Sequence, residues 1–370
     1  MPWCVRKCPY CDFNSHAAPE LLPAAQYIDA LFEDLHNDLG AVQGRTLVSI
    51  FFGGGTPSLF TPEQIGRLLE GVSRQIGFDP QIEITLEANP GTIEHGRFAG
   101  YRDAGVNRVS LGAQSFNDEQ LRLLGRIHGA GDIYRAVGEL RQAGLDNFNL
   151  DLMYGLPAQS VEQAVQDLRS ALTLEPAHIS HYQLALEPGT VFYHRPPPLP
   201  DPDDCWQMQV ESQELLAASG YEQYEVSAHA RAGRRSRHNL NYWQFGDYIG
   251  IGAGAHGKLT RADDGAIERT TRVKQPREYL ARTADQRVSE RRLVPAEDVP
   301  FEYMLNSLRL IEGFDERDFE SRTGLAFEEL GPKIAEAQQK GLLTRDAPGH
   351  WRATALGQRF LNDLQALFLP

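Results

Sequence analysis

Three of the four cysteines in this 370-residue chain fall within Trp3-Cys4-Val5-Arg6-Lys7-Cys8-Pro9-Tyr10-Cys11, spaced C-x3-C-x2-C, while Cys205 stands alone far downstream. Thiols grouped so tightly are placed to wrap one soft metal centre, since a chain of this length is not stapled by four cysteines. Three thiolates around a cubic 4Fe-4S cluster leave the fourth iron without a protein ligand, open to a substrate. The same stretch, read as C-x3-C-x2-C-x4-H with His16, also suits a structural Cys3His zinc site. Spacing alone leaves both open. Cys205 has no thiol nearby and reads as packing.

Composition narrows the partners. Lys+Arg 36 against Asp+Glu 50 gives a net charge of −14, so the average field repels nucleic acid. A hydrophobic fraction of 41% with 23% charged residues is ordinary for a globular chain. No apolar run approaches the roughly 20 residues that cross a bilayer, and no apolar targeting segment opens the chain. The expectation is a cytoplasmic protein, where thiols stay reduced.

The chain is predicted to be α/β. Tyr27, Ile28, Leu31, Leu35 and Leu39 recur at helical spacing, and Thr46 to Phe52 reads as a buried strand ending in Gly53-Gly54-Gly55-Thr56. Thr61-Pro62-Glu63-Gln64 and Ser160-Val161-Glu162-Gln163 are capping boxes. Strands are predicted at Gln81 to Leu86, Arg108 to Ala113, Asn147 to Met153 and Ile179 to Leu186. A helix from near Thr92 to Gly105, and others around Leu121 and Ile133, lie between them. Such alternation builds a parallel sheet with right-handed crossovers, and about six strands give a partial barrel, fewer than the eight of a closed one. Ligands of such sheets bind at the carboxyl ends of the strands, where Glu87, Gln114 and the triple glycine stand. A carboxylate such as Glu87 or Asp151 in an apolar strand needs a partner, whereas Arg126 reads equally as a carboxylate partner or a solvated helix charge.

Three segments follow: residues 1–226 as a partial (β/α)6 barrel, 227–294 as a connecting region, and 295–370 as a smaller, helical, winged-helix-like C-terminal domain. The last suits packing or partner docking, and the acidic balance argues against DNA. Gly252-Ala253-Gly254-Ala255-His256-Gly257 matches G-x-G-x-x-G but opens no helix, so no dinucleotide site is expected. Arg234-Arg235-Ser236-Arg237-His238-Asn239-Leu240-Asn241-Tyr242-Trp243 offers cations, an imidazole and aromatic faces, as a flat macrocycle with two carboxylates needs. Its bland alternative is a packed histidine beside a tryptophan.

The cysteine motif with Tyr10 before the third thiol resembles the signature of the radical S-adenosylmethionine (SAM) superfamily. The resemblance implies a 4Fe-4S cluster on Cys4, Cys8 and Cys11, chelated by SAM, whose reductive cleavage gives a 5'-deoxyadenosyl radical. It implies SAM contacts at Tyr10, Gly54, Gly55, Thr56, Glu87, Gln114, Arg126, Asp151 and Ala185. It also implies an apolar strand ahead of Pro2-Trp3-Cys4, for which little sequence stands there, so either a clipped first strand or a misassigned start is expected. His238-Asn239-Leu240-Asn241-Tyr242-Trp243 looks like the H-N-x-x-Y-W element of the HemW branch of heme chaperones. That likeness implies heme contacts at His238, Tyr242 and Trp243 and delivery of heme to acceptor proteins, membrane enzymes among them. The rival branch, oxygen-independent coproporphyrinogen III dehydrogenase, decarboxylates porphyrinogen propionates. It has a further cysteine where this chain has Phe13, and a longer N-terminal segment; both departures favour the chaperone. A non-redox zinc protein is the remaining alternative.

Overall fold

The computed structural model describes residues 1–91 and 96–370; the predicted helix start near Thr92 lies outside them. β1 (Trp3–Cys4) and β2 (His16–Ala17) pair in parallel and pinch the cysteine loop at its base. After α1 (Ala24–Val42) come five parallel strands, adjacent in chain order: β3 (Leu47–Phe52), β4 (Phe78–Ala88), β5 (Arg108–Gln114), β6 (Phe148–Tyr154) and β7 (His178–Gln183). The crossovers are α2 (Pro62–Ser73), α3 (Phe98–Asp103), α4 (Asp118–Leu123) with α5 (Ala130–Gln142), and α6 (Val161–Thr173).

Local chemistry explains these elements. Thr61 and Gln64 exchange side-chain-to-backbone hydrogen bonds at the start of α2, and Ser160 with Gln163 does the same for α6. Ile65, Leu68, Leu69 and Val72 form the buried stripe of α2, and every residue of β5 is buried. Along the strands side chains alternate. Glu83 and Glu87 of β4 share one face, which turns into the barrel, as do Asn149 and Asp151 of β6.

The sheet departs from the expected six strands. α7 (Val191–His194) and α8 (Pro202–Ala218) lead to a hairpin, β8 (Glu222–Glu225) and β9 (Ala228–Ala230), which joins β7 antiparallel. Seven strands result, in the order β3-β4-β5-β6-β7-β9-β8. The hairpin strands are too short to show a period, and the sheet runs on to Ala230.

Beyond it, α9 (Arg237–Trp243) carries the H-N-L-N-Y-W residues. A three-stranded antiparallel sheet follows, which the sequence did not announce: β10 (His256–Thr260), β11 (Ile267–Arg272) and β12 (Val288–Leu293), with α10 (Pro276–Ala281) between the last two. A buried ion cluster fastens this sheet to α1. Arg272, with no solvent exposure, donates to Asp34 at 2.8 Å and to Asp38, and the Tyr279 hydroxyl also donates to Asp34.

The C-terminal part contains α11 (Val299–Ser307), β13 (Phe314–Asp315), α12 (Glu316–Thr323), α13 (Gly331–Gln339) and the hairpin β14 (Leu343–Ala347) to β15 (His350–Ala353). The last helical stretch is broken at Phe360 into α14 (Ala355–Arg359) and α15 (Leu361–Ala366). Tyr303, Phe314, Phe319, Phe327 and Trp351 form its aromatic core. This unit covers the outer edge of β8: Ile311 N–H donates to the Tyr224 carbonyl at 3.1 Å, and the Arg309 guanidinium lies 4.3 Å from the Trp243 ring centre.

Replacing Arg272 with Met leaves buried Asp34 without its cation and Asp38 with only the half-exposed Arg291 at 3.6 Å. Urea denaturation is expected to show a loss of about 3–5 kcal/mol, the scale of a broken buried pair, and an unchanged midpoint would contradict that role.

Candidate metal and SAM site

At the carboxyl end of the barrel lies a cavity of about 500 Å³. Cys4, Cys8 and Cys11 line it from the loop pinched by β1 and β2. Each sulfur has its own donor or polar neighbour. The Thr56 hydroxyl donates to Cys4 Sγ at 3.4 Å, Arg126 Nη1 to Cys8 Sγ at 3.7 Å, and Ser15 Oγ stands 3.9 Å from Cys11 Sγ. Burial pushes the Cys4 and Cys11 thiols up, and the hydroxyls of Thr56 and Ser15 pull them back down.

The loop is held from several sides. Gly55 N–H donates to the Met1 carbonyl at 2.6 Å and Thr56 N–H to the Trp3 carbonyl at 2.7 Å. A Cβ on Gly55 would stand 2.6 Å from the Trp3 carbonyl oxygen, so the triple glycine admits the cysteine-bearing segment itself. Asn14 Nδ2 donates to the Ala253 and Lys274 carbonyls at 2.9 Å. The Gly252-to-Gly257 turn is therefore a clasp on the cysteine loop, with Gly252 N–H bound to Asp34 at 3.0 Å. At Gly254 a Cβ would meet Asn14 Nδ2 at 2.3 Å.

The residues expected to meet SAM all line this one cavity. From the loop and the glycine turn come Tyr10, Gly54, Gly55 and Thr56; from strand ends and the segments after them come Glu87, Gln114, Arg126, Asp151 and Ala185. Glu87 accepts from Gly54 N–H at 3.2 Å. Burial, then the nearby Asp151 carboxyl, push Glu87 up to about 8. Burial also raises Asp151, against hydrogen bonds from Asn149 at 2.8 Å and Ser110 at 3.1 Å. Arg126 is no solvated helix charge: it lies among Cys8, Asn89 and the Gly112 carbonyl, the last at 2.9 Å.

Sequence reading missed Ser110, Asn149, Ser180 and Tyr182. Ser110 and Asn149 donate to Asp151, Ser180 Oγ donates to Asn149 Oδ1 at 3.1 Å, and the Tyr182 hydroxyl donates to Gln114 Oε1 at 2.8 Å. Their signal was available as polar residues at every second position of otherwise apolar strands. Cys205 is buried in α8, away from the triad.

The donor set fits a cluster better than a single ion. His16, needed to complete a Cys3His site, has Nε2 engaged by Asn14 Oδ1 at 3.1 Å and does not line the cavity. Among the described residues no three His, Cys, Asp or Glu side chains converge on one ion-sized point. Three thiols, unpaired and each with its own polar neighbour, suit a body with a separate iron for each. Two carboxyls facing the adjoining space suit a ligand rich in ammonium and hydroxyl groups.

The residues expected to contact heme do not share that cavity. His238 and Tyr242 line a second, larger one beside β3, while Trp243 stacks under Arg309. Glu83 accepts from Ser236 Oγ and the Arg237 and His238 N–H groups, at 3.1–3.2 Å, and so holds the start of α9. Asn239 and His178 both bond the Tyr224 hydroxyl. α9 thus closes the amino end of the barrel.

A partial barrel with three loop thiols above a polar strand-end cavity defines a radical SAM protein. The radical SAM superfamily matches residues 1–171, and the HemN C-terminal domain matches residues 294–360. The chain is 50% identical to heme chaperone HemW of Haemophilus influenzae and 49% to that of Escherichia coli, covering 100% of this chain and 96% of each relative. It is 32% identical to that of Bacillus subtilis, over 93% of this chain and 91% of the relative. Coproporphyrinogen III oxidase (HemN) of Escherichia coli has the same fold, with a TM-score of 0.82 at 24% identity over 100% of this chain and 88% of that one. The chain belongs to the HemW family of the radical SAM superfamily. Membership implies a 4Fe-4S cluster, for which Cys4, Cys8 and Cys11 are the ligands that fit, and SAM. Bound there, cluster and SAM supply one-electron chemistry.

Cys8→Ala leaves two thiols, too few to hold the cube, and anaerobic reconstitution is expected to give protein nearly free of iron and acid-labile sulfide. Full iron in that variant would remove Cys8 from the ligand set. Thr56→Val deletes a donor to Cys4 Sγ. Electrochemistry is expected to place its cluster at a more negative potential with iron content unchanged.

Proposed function

We propose that this protein binds heme and hands it to acceptor proteins, and that the SAM cavity is its radical SAM centre. The observation that carries the reading is identity of 49–50% to heme chaperones along the whole chain, barrel, connecting region and C-terminal unit alike. The likeness to coproporphyrinogen oxidase is one of fold. Phe13, standing where that branch has a further cysteine, is 57% exposed at the rim of the SAM cavity. The rim therefore presents an apolar face rather than a fourth thiol.

The cavity that would hold SAM has chain groups with separate tasks. Glu87 and Asp151 accept from cationic and hydroxyl groups; Arg126 sets one sulfur and neutralises charge around it. The acceptor belongs to the proposal only as a class, a protein that needs heme. Among the described residues no helix is long and apolar enough to cross a membrane.

His238 enters this reading as a support of the barrel floor. Its ring stacks on Phe51 with centres 4.3 Å apart and planes at 17°, and burial lowers it to about 4. These contacts favour packing over iron ligation.

Hemin titrated anaerobically into the reconstituted protein is expected to give a shifted Soret band, and the heme is expected to move to apomyoglobin. Coproporphyrinogen III with SAM and a reductant is expected to yield no vinyl product; such product would replace the chaperone reading with the oxidase one. His238→Ala is expected to lower the melting temperature and leave heme affinity unchanged. Loss of the Soret shift in that variant would make His238 a ligand.

A further inference from the structure

Asp151 at the barrel mouth and α9 at the amino end are joined by side chains in single file. Asn239 Nδ2 lies 3.2 Å from the Tyr224 hydroxyl, which lies 2.8 Å from His178 Nε2. His178 Nδ1 lies 2.6 Å from Asn149 Oδ1, and Asn149 Nδ2 lies 2.8 Å from Asp151 Oδ1. Tyr224, His178 and Asn149 are each no more than 2% exposed, so water does not interrupt the file. Of its members, Asp151 alone lines the SAM cavity.

The direction of every bond follows from Asp151. A carboxylate only accepts, so Asn149 turns its NH2 group toward it. The Ser110 hydroxyl likewise donates to Asp151 Oδ2 at 3.1 Å and accepts from Asn149 Nδ2 at 2.7 Å. Asn149 Oδ1 is left to accept, from Ser180 Oγ at 3.1 Å and from His178, so His178 carries its proton on Nδ1. Burial, then the charge of Arg108, push the imidazole well below its ordinary range. A neutral ring protonated at Nδ1 has a bare Nε2. The Tyr224 hydroxyl gives its one hydrogen to that nitrogen, and its oxygen accepts from Asn239.

We propose that Asn239, Tyr224 and His178 are positioning residues for SAM: acting through Asn149, they fix the Asp151 carboxylate from the opposite end of the barrel, by hydrogen bonds that all point toward it. Bonds aligned head to tail polarise one another, so the file acts on Asp151 as a unit. Each Asp151 oxygen takes one of these donors, from Asn149 or Ser110, and keeps a lone pair for a hydroxyl in the cavity. The asparagine of the H-N-x-x-Y-W element thus has a task of its own, apart from any heme contact. A shift of α9 breaks or reverses the file, which links the floor of the barrel to SAM affinity at its mouth. The inference rests on the reading of this cavity as the SAM site.

The test is Asn239→Asp, which keeps the side chain's shape and removes its donor. Tyr224 then gives its hydrogen to the new carboxylate, His178 is protonated at Nε2 with a bare Nδ1, and Asn149 turns its NH2 group away from Asp151. Nitrogen-15 spectra of the histidine-labelled full chain, free of cluster and SAM, are expected to show the His178 proton moving from Nδ1 to Nε2, with His178→Gln identifying the signal. In anaerobically reconstituted protein, SAM affinity is expected to fall about three- to tenfold. The same substitution in an Asp151→Asn background is expected to change affinity by less than about twofold, because the group it acts through is gone. Tyr224→Phe, which deletes the hydroxyl and keeps the ring, is expected to show the same dependence on background.

A His178 proton on Nε2 in the unsubstituted protein would overturn the proposal. So would an equal loss of SAM affinity in both backgrounds, which would make Asn239 and Tyr224 supports of the fold only, or no loss in either. Unsubstituted protein that binds no SAM would defeat the reading of the cavity instead. The His178 tautomer, read without cluster or SAM, would then still decide whether the file is directed at Asp151.

Discussion

The loop from Val5 to Ser15 has almost no regular structure, so its shape is imposed by what grips it. Backbone bonds from Gly55 and Thr56 hold Met1 and Trp3, the β1–β2 pair closes its base, and Asn14 is caught by carbonyls of Ala253 and Lys274. Phe192 N–H reaches the Pro9 carbonyl at 3.0 Å from α7. Three thiols can face one cavity only because segments hundreds of residues apart hold that loop. A cluster site built on a loop thus gains the rigidity that a site on a helix has by default.

The barrel interior shows how that rigidity is organised. Its floor is a network of Glu83, Arg108, Asn149, His178 and Tyr224, closed by the start of α9. Its mouth holds Glu87, Asp151 and Arg126. Buried polar groups are costly unless satisfied, and those of the floor are largely satisfied by one another. At the mouth, Glu87 accepts a single hydrogen bond from Gly54, and that is where a ligand rich in donors is accommodated. The division is physical: a network that satisfies itself supports, and one left with open acceptors binds.

The connecting region joins these two functions. Asp34 of α1 receives Arg272, Tyr279 and Gly252 N–H, so α1, the three-stranded sheet and the glycine clasp move as one body. The same clasp holds Asn14 in the cysteine loop. Changes in the connecting region therefore reach the cluster ligands through a short chain of hydrogen bonds, without touching the cavity.

Much of this was written locally. The C-x3-C-x2-C spacing, the capping boxes at Thr61 and Ser160 and the strand–helix alternation are short-range patterns, and they pointed to the candidate metal ligands and to a parallel sheet. The SAM contacts carried over by resemblance fell in one cavity because residues at strand ends converge once the strands are parallel. The hairpin of β8 and β9, the role of Gly252 to Gly257, the Asp34–Arg272 cluster and the plugging of the barrel by α9 were not legible. Each joins residues far apart in sequence, and two- to four-residue strands carry no period. Residue types and their spacing thus determined which groups are the candidates to hold a metal; only the tertiary structure decided what holds those groups, since partners across 200 residues are chosen by packing.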